Sequence, residues 1–157
     1  MYKSIVAGKV RSVFESINHG DPTPMVDGLG SPFRYEFHGD HALGGVRTTR
    51  QAMTAWWARV FRLIPDATFT VHDVLVKGSP WNTRVAVRST ISGPLPDATE
   101  YRNTVFQFMT LRWGKVVSVE TCEDLQVLEH ALAVVAANGN TEAAAPPITD
   151  VAVAVAR

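Results

Sequence analysis

Residues 37–45, FHGDHALGG, place two histidines and a carboxylate where an alternating run meets a glycine-rich turn. Imidazole and carboxylate groups are common proton carriers in enzymes and common metal ligands. His38 is a candidate catalytic residue, as a base or as a hydrogen-bond donor to a ligand oxygen, with Asp40 or Asp124 fixing its tautomer. A structural histidine that packs its ring at a strand end is the alternative. His41, in the turn itself, is expected to face solvent.

The same turn offers three potential metal ligands, and His72 would join them if a strand bulge brought it close. Ligands this near one another in a turn seldom converge on one ion, whereas zinc sites usually space paired ligands on a helix or in a tight knuckle. The sequence therefore predicts no metal site, and no cofactor is expected.

The elements that must position these residues follow from hydrophobic periodicity. Spacings of three and four residues predict helices over residues 3–19, 48–64 and 125–137, and Asp21-Pro22 predicts a short helix after the first one. Alternation predicts strands over residues 33–38, 68–77, 83–92, 100–112 and 116–123, with a bulge near His72 and Asp73. This order indicates an α+β domain in which a curved, mixed or antiparallel sheet wraps around N-terminal helices and forms a cone-shaped pocket.

The amino-acid composition limits the classes of partner that this chain is expected to bind. The 157 residues are 46% hydrophobic, enough for one domain over residues 1–138, and 15 basic side chains balance 15 acidic ones. No basic patch favours nucleic acid, and no apolar stretch is long enough to span a membrane. The single cysteine, Cys122, and the lack of a signal-peptide pattern favour the cytoplasm.

Residues 139–157 form a tail beyond the last helix. Its end, residues 148–156, alternates small and branched residues like an added edge strand. We expect this tail to dock on its own sheet or on a partner subunit, or else to be an alanine-rich extension.

Alternation also predicts which side chains share a pocket. Tyr101, Asn103, Val105 and Gln107 lie on one face of their strand, which places a phenol and an amide near the mouth of the cavity. Asn103 is the better candidate to stabilise a developing oxyanion, although bonding between strands is an ordinary alternative. The apolar wall would come from aromatic residues, which otherwise are simply core: Phe33, Tyr35, Phe37, Trp56, Phe61 and Phe106 or Phe108.

Four motifs accompany this order of elements: SINHGD at residues 16–21, FHGDHALGG with TRQAMTAWW at 37–57, YRN at 101–103, and LRWGKVV at 111–117 followed by Glu123-Asp124. Together, from residue 6 to about 133, they resemble the nuclear-transport-factor-like superfamily. Its cystatin-like cone fold includes SnoaL-like polyketide cyclases, steroid isomerases and limonene epoxide hydrolase. The scaffold hosts enzymes, binders and adaptors alike, so the resemblance leaves the function open.

The resemblance places Asp40 near the catalytic aspartate of the steroid isomerases, which makes it the first candidate base. Desolvation in an apolar cavity would raise the pKa of this carboxyl toward neutrality. In the alternative, Asp40 caps the turn in water. The position that matches the oxyanion tyrosine of the steroid isomerases is occupied by Val13, or by Phe14 if the match shifts by one residue. Neither side chain has a hydroxyl group, which argues against a steroid isomerase of the usual kind.

A second catalytic arrangement in the superfamily is the carboxylate–arginine–carboxylate set of limonene epoxide hydrolase. Arg88, Glu120 and Asp124 are its candidates here. Thr121 and Cys122 occupy positions where many relatives have glutamate and tyrosine. This difference weakens the assignment of the hydrolase residues to this chain.

Our leading interpretation is a SnoaL-like pocket protein that moves a proton on a small hydrophobic carbonyl compound, in an isomerase- or cyclase-type reaction. In that reaction Asp40 or His38 would be the base, and Asn103 and Tyr101 would steady the enolate. The alternatives are a non-catalytic ligand-binding or interaction module, and water addition to an epoxide. The resemblance also implies a homodimer, with Trp81 or Trp113 as interface anchors.

Overall fold

A computed structural model describes residues 1–151. The helices are α1 (Tyr2–Asn18), α2 (Thr23–Asp27), α3 (Arg50–Leu63) and α4 (Leu125–Ala137), followed by a short 3-10 turn (Thr141–Ala144). The strands are β1 (Leu29–Phe37), β2 (Gly45–Arg47), β3 (Thr68–Ser79), β4 (Asn82–Pro94), β5 (Glu100–Arg112) and β6 (Lys115–Glu123). The helices and strands predicted within residues 1–138 are all present, and β2 is an addition.

The six strands form one mixed sheet in the order β2-β1-β6-β5-β4-β3. Only β1 and β6 are parallel among the paired strands described, and the other neighbours are antiparallel. The register of β3 against β4 shifts between Val71 and Asp73, which confirms the predicted bulge. Long strands and a bulge give the sheet the bend that lets it wrap around the helices. The α+β prediction is confirmed.

Strand alternation separates a buried inner face from an exposed outer face. On β5, for example, Val105 and Gln107 are buried, whereas Phe106 and Phe108 are exposed. The inner face packs against α1 and α3, which contribute apolar stripes at helical spacing. The capping residue of α3 is Thr49, whose hydroxyl accepts a hydrogen bond from the Ala52 amide at 3.2 Å.

The chain after α4 folds back onto its own domain. Glu142 forms ion pairs with Arg59 and Arg62 of α3, and the Asp150 carboxylate accepts a hydrogen bond from the Thr48 amide at 2.8 Å. Residues 148–151 form no strand, and the rest of the predicted edge strand lies outside the described residues. Within residues 1–151 no helix is both long and apolar enough to cross a membrane.

Candidate functional site

Two polar side chains of the FHGDHALGG turn, His38 and Asp40, do not point into the interior. Phe37 is the last inward-facing residue of β1, so His38 lies on the outer face, where its Nε2 is 2.6 Å from Glu120 Oε1. Asp40 is exposed to solvent. The expectation of a carboxylate desolvated in an apolar cavity is therefore wrong for Asp40.

His41 is buried, so the expectation that it faces solvent is wrong. Its Nε2 lies 2.9 Å from the His38 carbonyl oxygen, its Nδ1 accepts a hydrogen bond from the Leu43 amide at 3.2 Å, and its ring packs edge-on against Phe37. Burial lowers the pKa of this imidazole. Gly39 has a φ of +104°, and a Cβ there would lie 2.7 Å from the His41 ring, so the turn requires glycine. His41 holds the turn together.

The predicted aromatic wall is largely core. Tyr35, Phe37 and Trp56 are at most 5% exposed and pack on one another, with ring centroids 5.3 and 6.2 Å from that of Trp56. Phe61 is partly buried against Trp57. Phe106 and Phe108 lie on the outer face, so their inclusion in the wall is wrong.

Arg47 is a buried cation that sequence reasoning missed. Its guanidinium carbon lies 5.0 Å from the Trp56 ring centroid and 5.5 Å from that of Tyr35. The same group donates hydrogen bonds to the carbonyl oxygens of Gly44, Gly45 and Ile148. Desolvation lowers its pKa to about 10, so it remains charged at neutral pH. Arg47 therefore joins the turn to the C-terminal segment.

Tyr101 and Asn103 meet, as predicted, on the inner face near the start of β5, but their partner is a residue that we did not select. The Tyr101 hydroxyl donates to Glu123 Oε2 at 2.5 Å, and Asn103 Nδ2 approaches the same oxygen at 3.3 Å. Asn103 also exchanges hydrogen bonds with the backbone of Asp124. These contacts form a carboxyl–phenol–amide cluster where β6 meets α4.

Glu123 is partly buried, and desolvation raises the pKa of its carboxyl to about 7, although the Tyr101 hydrogen bond opposes the shift. Burial also raises the pKa of Tyr101, so this phenol stays protonated and donates. An open groove of about 630 Å³ borders the cluster, and Arg102, Phe106 and Val127 contribute to its lining. Alternation on β6, where Val119 and Thr121 are buried, was the signal that could have identified Glu123.

The predicted hydrolase set does not assemble. Arg88 pairs with Asp73 at 2.6 Å on the outer face, and Glu120 contacts His38. Asp124 caps α4 by accepting hydrogen bonds from the amides of Gln126 and Val127. The three groups make separate contacts and share no site for one water.

An apolar pocket of about 210 Å³ lies between the first half of α1, α2 and the far end of the sheet. Tyr2 and Lys9 are the polar residues of its lining; the Tyr2 hydroxyl already bonds the Thr83 hydroxyl at 2.5 Å. Its apolar lining is contributed mainly by Ile5, Val6, Val10, Val13, Phe14, Pro24, Met25, Met109, Leu111 and Val116. No carboxylate or imidazole belongs to the lining described. Such a lining suits a hydrophobic ligand.

Comparison with solved structures finds the same fold at low identity. Wild-type IdmH, a candidate polyketide cyclase from Streptomyces antibioticus, matches with a TM-score of 0.67 and 19% identity, over 82% of this chain and 98% of that one. A candidate isomerase from Bacillus subtilis matches with a TM-score of 0.70 and 13% identity, over 85% and 97% of the two chains.

A hypothetical protein with a ketosteroid-isomerase-like fold from Catenulispora acidiphila, in complex with trimethylamine, matches with a TM-score of 0.61 and 16% identity, over 72% and 82% of the chains. A search of curated protein sequences gives no match. The family model of the SnoaL-like domain matches residues 10–119, more than half of the chain. With this match, and with a cone-shaped sheet shared with these structures, the chain belongs to the SnoaL-like domain family.

Proposed function

We propose that this SnoaL-like protein binds a small hydrophobic molecule in the apolar pocket between α1, α2 and the sheet. The observation that carries the proposal is the lining, which is apolar apart from Tyr2 and Lys9. An apolar pocket gains free energy when an apolar ligand fills it, because the apolar surfaces of both leave water and new packing contacts form. Lys9, at the exposed side of α1, is a donor for a ligand carbonyl.

The volume limits the ligand. An engineered apolar cavity of about 150 Å³ in another protein holds benzene. A pocket of about 210 Å³ therefore accommodates one substituted ring or two fused rings rather than a four-ring steroid. A bicyclic ketone such as 2-acetylnaphthalene is a suitable probe.

The binding test uses one variant that fills the pocket and one matched control. Val13→Phe places a ring in the pocket, whereas Ser12→Phe places the same ring on the exposed side of α1. We expect Val13→Phe to weaken binding of 2-acetylnaphthalene at least about tenfold in a fluorescence titration. Ser12→Phe should bind as the wild type does. Equal affinity in all three proteins would place the ligand elsewhere and refute the proposal.

A second candidate function is proton transfer on a carbonyl compound, in an isomerase- or cyclase-type reaction. The observation that favours it is the 2.5 Å contact between the Tyr101 hydroxyl and the Glu123 carboxylate beside an open groove. A partly buried carboxylate next to a phenol and an amide has the composition of an acid–base site, in which Glu123 takes the proton and Tyr101 and Asn103 donate to the enolate oxygen. In this proposal Glu123 replaces Asp40 and His38, which face outward.

The catalytic candidate is tested by deuterium exchange at the methyl group of 2-acetylnaphthalene in D₂O, followed by proton NMR. We expect the wild type to exceed the buffer rate and Glu123→Gln to lose about 100-fold of that excess. Asp40→Asn is the control and should exchange at the wild-type rate. A loss in Asp40→Asn would restore the original assignment of the base, and a wild-type rate equal to that of buffer would leave binding as the function.

We also propose that two copies of the chain pair through the outer face of the sheet. This face exposes large apolar side chains, of which Phe108 is 56% exposed and Phe106 is 45% exposed. Trp81 and Trp113 lie together at one end of the sheet, with ring centroids 6.1 Å apart. Exposed apolar patches that include tryptophan are typical of protein interfaces.

A further inference from the structure

Three side chains of different chemistry converge on the outer face of the sheet, apart from the apolar pocket; one of them, Cys122, also lines the groove beside Glu123. They are His38, just after β1, and Glu120 and Cys122 of β6, and their donor atoms all lie within 4.8 Å of one another. We propose that His38, Glu120 and Cys122 bind one divalent cation of the zinc type. This proposal does not depend on the proposed ligand binding or proton transfer, and it uses the same face of the sheet as the proposed dimer.

The parallel pairing of β1 with β6 creates the cluster. Phe37 lies opposite Thr121, and the His38 amide donates to the Thr121 carbonyl oxygen at 3.0 Å. The His38 side chain, which follows β1, therefore reaches the outer face between Glu120 and Cys122. Residues 120 and 122 point to the same face because side chains alternate along a strand. Three donors held by two hydrogen-bonded strands are a rigid set, unlike donors within one turn.

The distances suit a zinc ion after small side-chain rotations. Zinc lies about 2.0–2.3 Å from nitrogen, oxygen and sulfur donors, so two donors of a tetrahedral site are roughly 3.3–3.8 Å apart. The widest separation, at most 4.8 Å, must close by about 1 Å. The His38–Glu120 contact of 2.6 Å must open by a similar amount, as a hydrogen bond is replaced by a shared ion.

The donor types select the metal. A thiolate and an imidazole favour zinc and cobalt over magnesium and calcium, which prefer oxygen ligands. One thiolate and one carboxylate supply two negative charges, which a divalent ion neutralises. The fourth position stays open to water, as in zinc sites with three protein ligands.

The residues around Cys122 favour its neutral thiol. Burial, followed by the negative charges of Glu120 and Glu36, raises the pKa of the Cys122 thiol. A bound cation reverses this electrostatic balance, because it attracts the thiolate that the carboxylates repel. Phe106 and Phe108 lie directly opposite Cys122 and Glu120 on β5, and their rings reduce the access of water on that side.

The first experiment titrates the metal-free 157-residue chain with Co²⁺, whose absorption spectrum reports its ligands. We expect saturation at one equivalent per chain, with an intense near-ultraviolet thiolate-to-cobalt band and visible bands of a four-coordinate ion, all removed by Zn²⁺. Cys122→Ser should lose the near-ultraviolet band. His38→Gln and Glu120→Gln should each weaken Zn²⁺ binding at least about tenfold in competition with a chromophoric chelator.

The matched control is His72→Gln, which removes another exposed imidazole, one that contacts Thr90 on β4. It should bind as the wild type does. A second measurement uses the fact that Cys122 is the only cysteine in the chain: Zn²⁺ should slow its alkylation by iodoacetamide in the wild type and in His72→Gln, but not in His38→Gln. Weak binding of several equivalents without a thiolate band, or equal protection in His38→Gln, would overturn the proposal.

Discussion

At the scale of single residues, Glu123 shows how burial changes the behaviour of a carboxyl group. Desolvation raises its pKa from the ordinary 4.5 to about 7 in the folded protein. Between these two values the folded chain holds a proton that the unfolded chain has released. The contribution of Glu123 to stability is therefore fully present below pH 4.5 and is lost as the pH rises to about 7.

Glu123→Gln should remove this loss of stability with rising pH, because a glutamine side chain does not titrate. Relative to the wild type, the variant should gain at most about 3 kcal/mol in free energy of unfolding between pH 4 and pH 8, since each pKa unit corresponds to about 1.4 kcal/mol. Urea unfolding at both pH values, with EDTA present, measures the difference. If the free energies of unfolding of the wild type and the variant differ by the same amount at both pH values, the burial of a protonated Glu123 is contradicted.

Tyr101→Phe tests the pKa of Glu123 by removing the hydroxyl that donates to its carboxylate. The Tyr101 hydroxyl donates to Glu123 and favours the ionised carboxylate, so its removal should raise the pKa of Glu123 further. The pH at which the wild type loses stability should then move upward in this variant. Two-dimensional NMR of the labelled Glu123 carboxyl carbon follows the titration directly. A downward shift would show that another donor controls this carboxyl.

At the scale of elements, one buried arginine connects the turn before β2 to the end of the chain. Arg47→Met keeps most of the side-chain volume but leaves the carbonyl oxygens of Gly44, Gly45 and Ile148 without their shared donor. We expect a loss of roughly 2–4 kcal/mol in the free energy of unfolding, since buried acceptors without partners are costly. Hydrogen exchange of residues 145–151 should also become faster.

Arg62→Met provides the control for this prediction, because Arg62 also contacts the C-terminal segment but is about half exposed. The variant loses an ion pair with Glu142. Because this pair is partly exposed to solvent, it contributes less than about 1 kcal/mol to the free energy of unfolding. Chemical denaturation and hydrogen exchange should therefore differ little from the wild type. Equal effects of Arg47→Met and Arg62→Met would mean that Arg47 has no special role in docking the segment.

At the scale of the whole molecule, the dimer proposal assigns the subunit contact to the outer face of the sheet. Sedimentation velocity at about 50 µM should show a dimer for the wild type. Phe108→Asp, at the centre of the face, should weaken association at least about 100-fold, because it buries a charge against an apolar partner surface. Trp113→Asp tests whether the interface extends to the end of the sheet.

Ser12→Asp adds the same charge on the exposed side of α1 and should leave the dimer intact. A wild type that sediments as a monomer would refute the dimer proposal without affecting the ligand pocket, which is built from one chain. A dimer that survives Phe108→Asp but not Trp113→Asp would restrict the interface to the tryptophan pair.

Much of the architecture was predictable because it depends on local periodicity. Alternation correctly placed Tyr101 and Asn103 on the inner face of β5 and also indicated the bulge before Asp73. The same rule puts Phe106 and Phe108 on the outer face, against our inclusion of them in the pocket wall. The position of Asp40 was not predictable, because the direction of a side chain in a turn has no period to follow.

The sequence by itself determined the element order, the apolar face of each element and the family resemblance, because these depend on spacings of a few residues. Only the tertiary structure decided which distant residues meet. Glu123 reaches Tyr101 through the β5–β6 register, and His38 reaches Glu120, 82 positions away, because β1 and β6 pair in parallel. Strand pairing sets these contacts, and it depends on how the whole sheet closes around its helices.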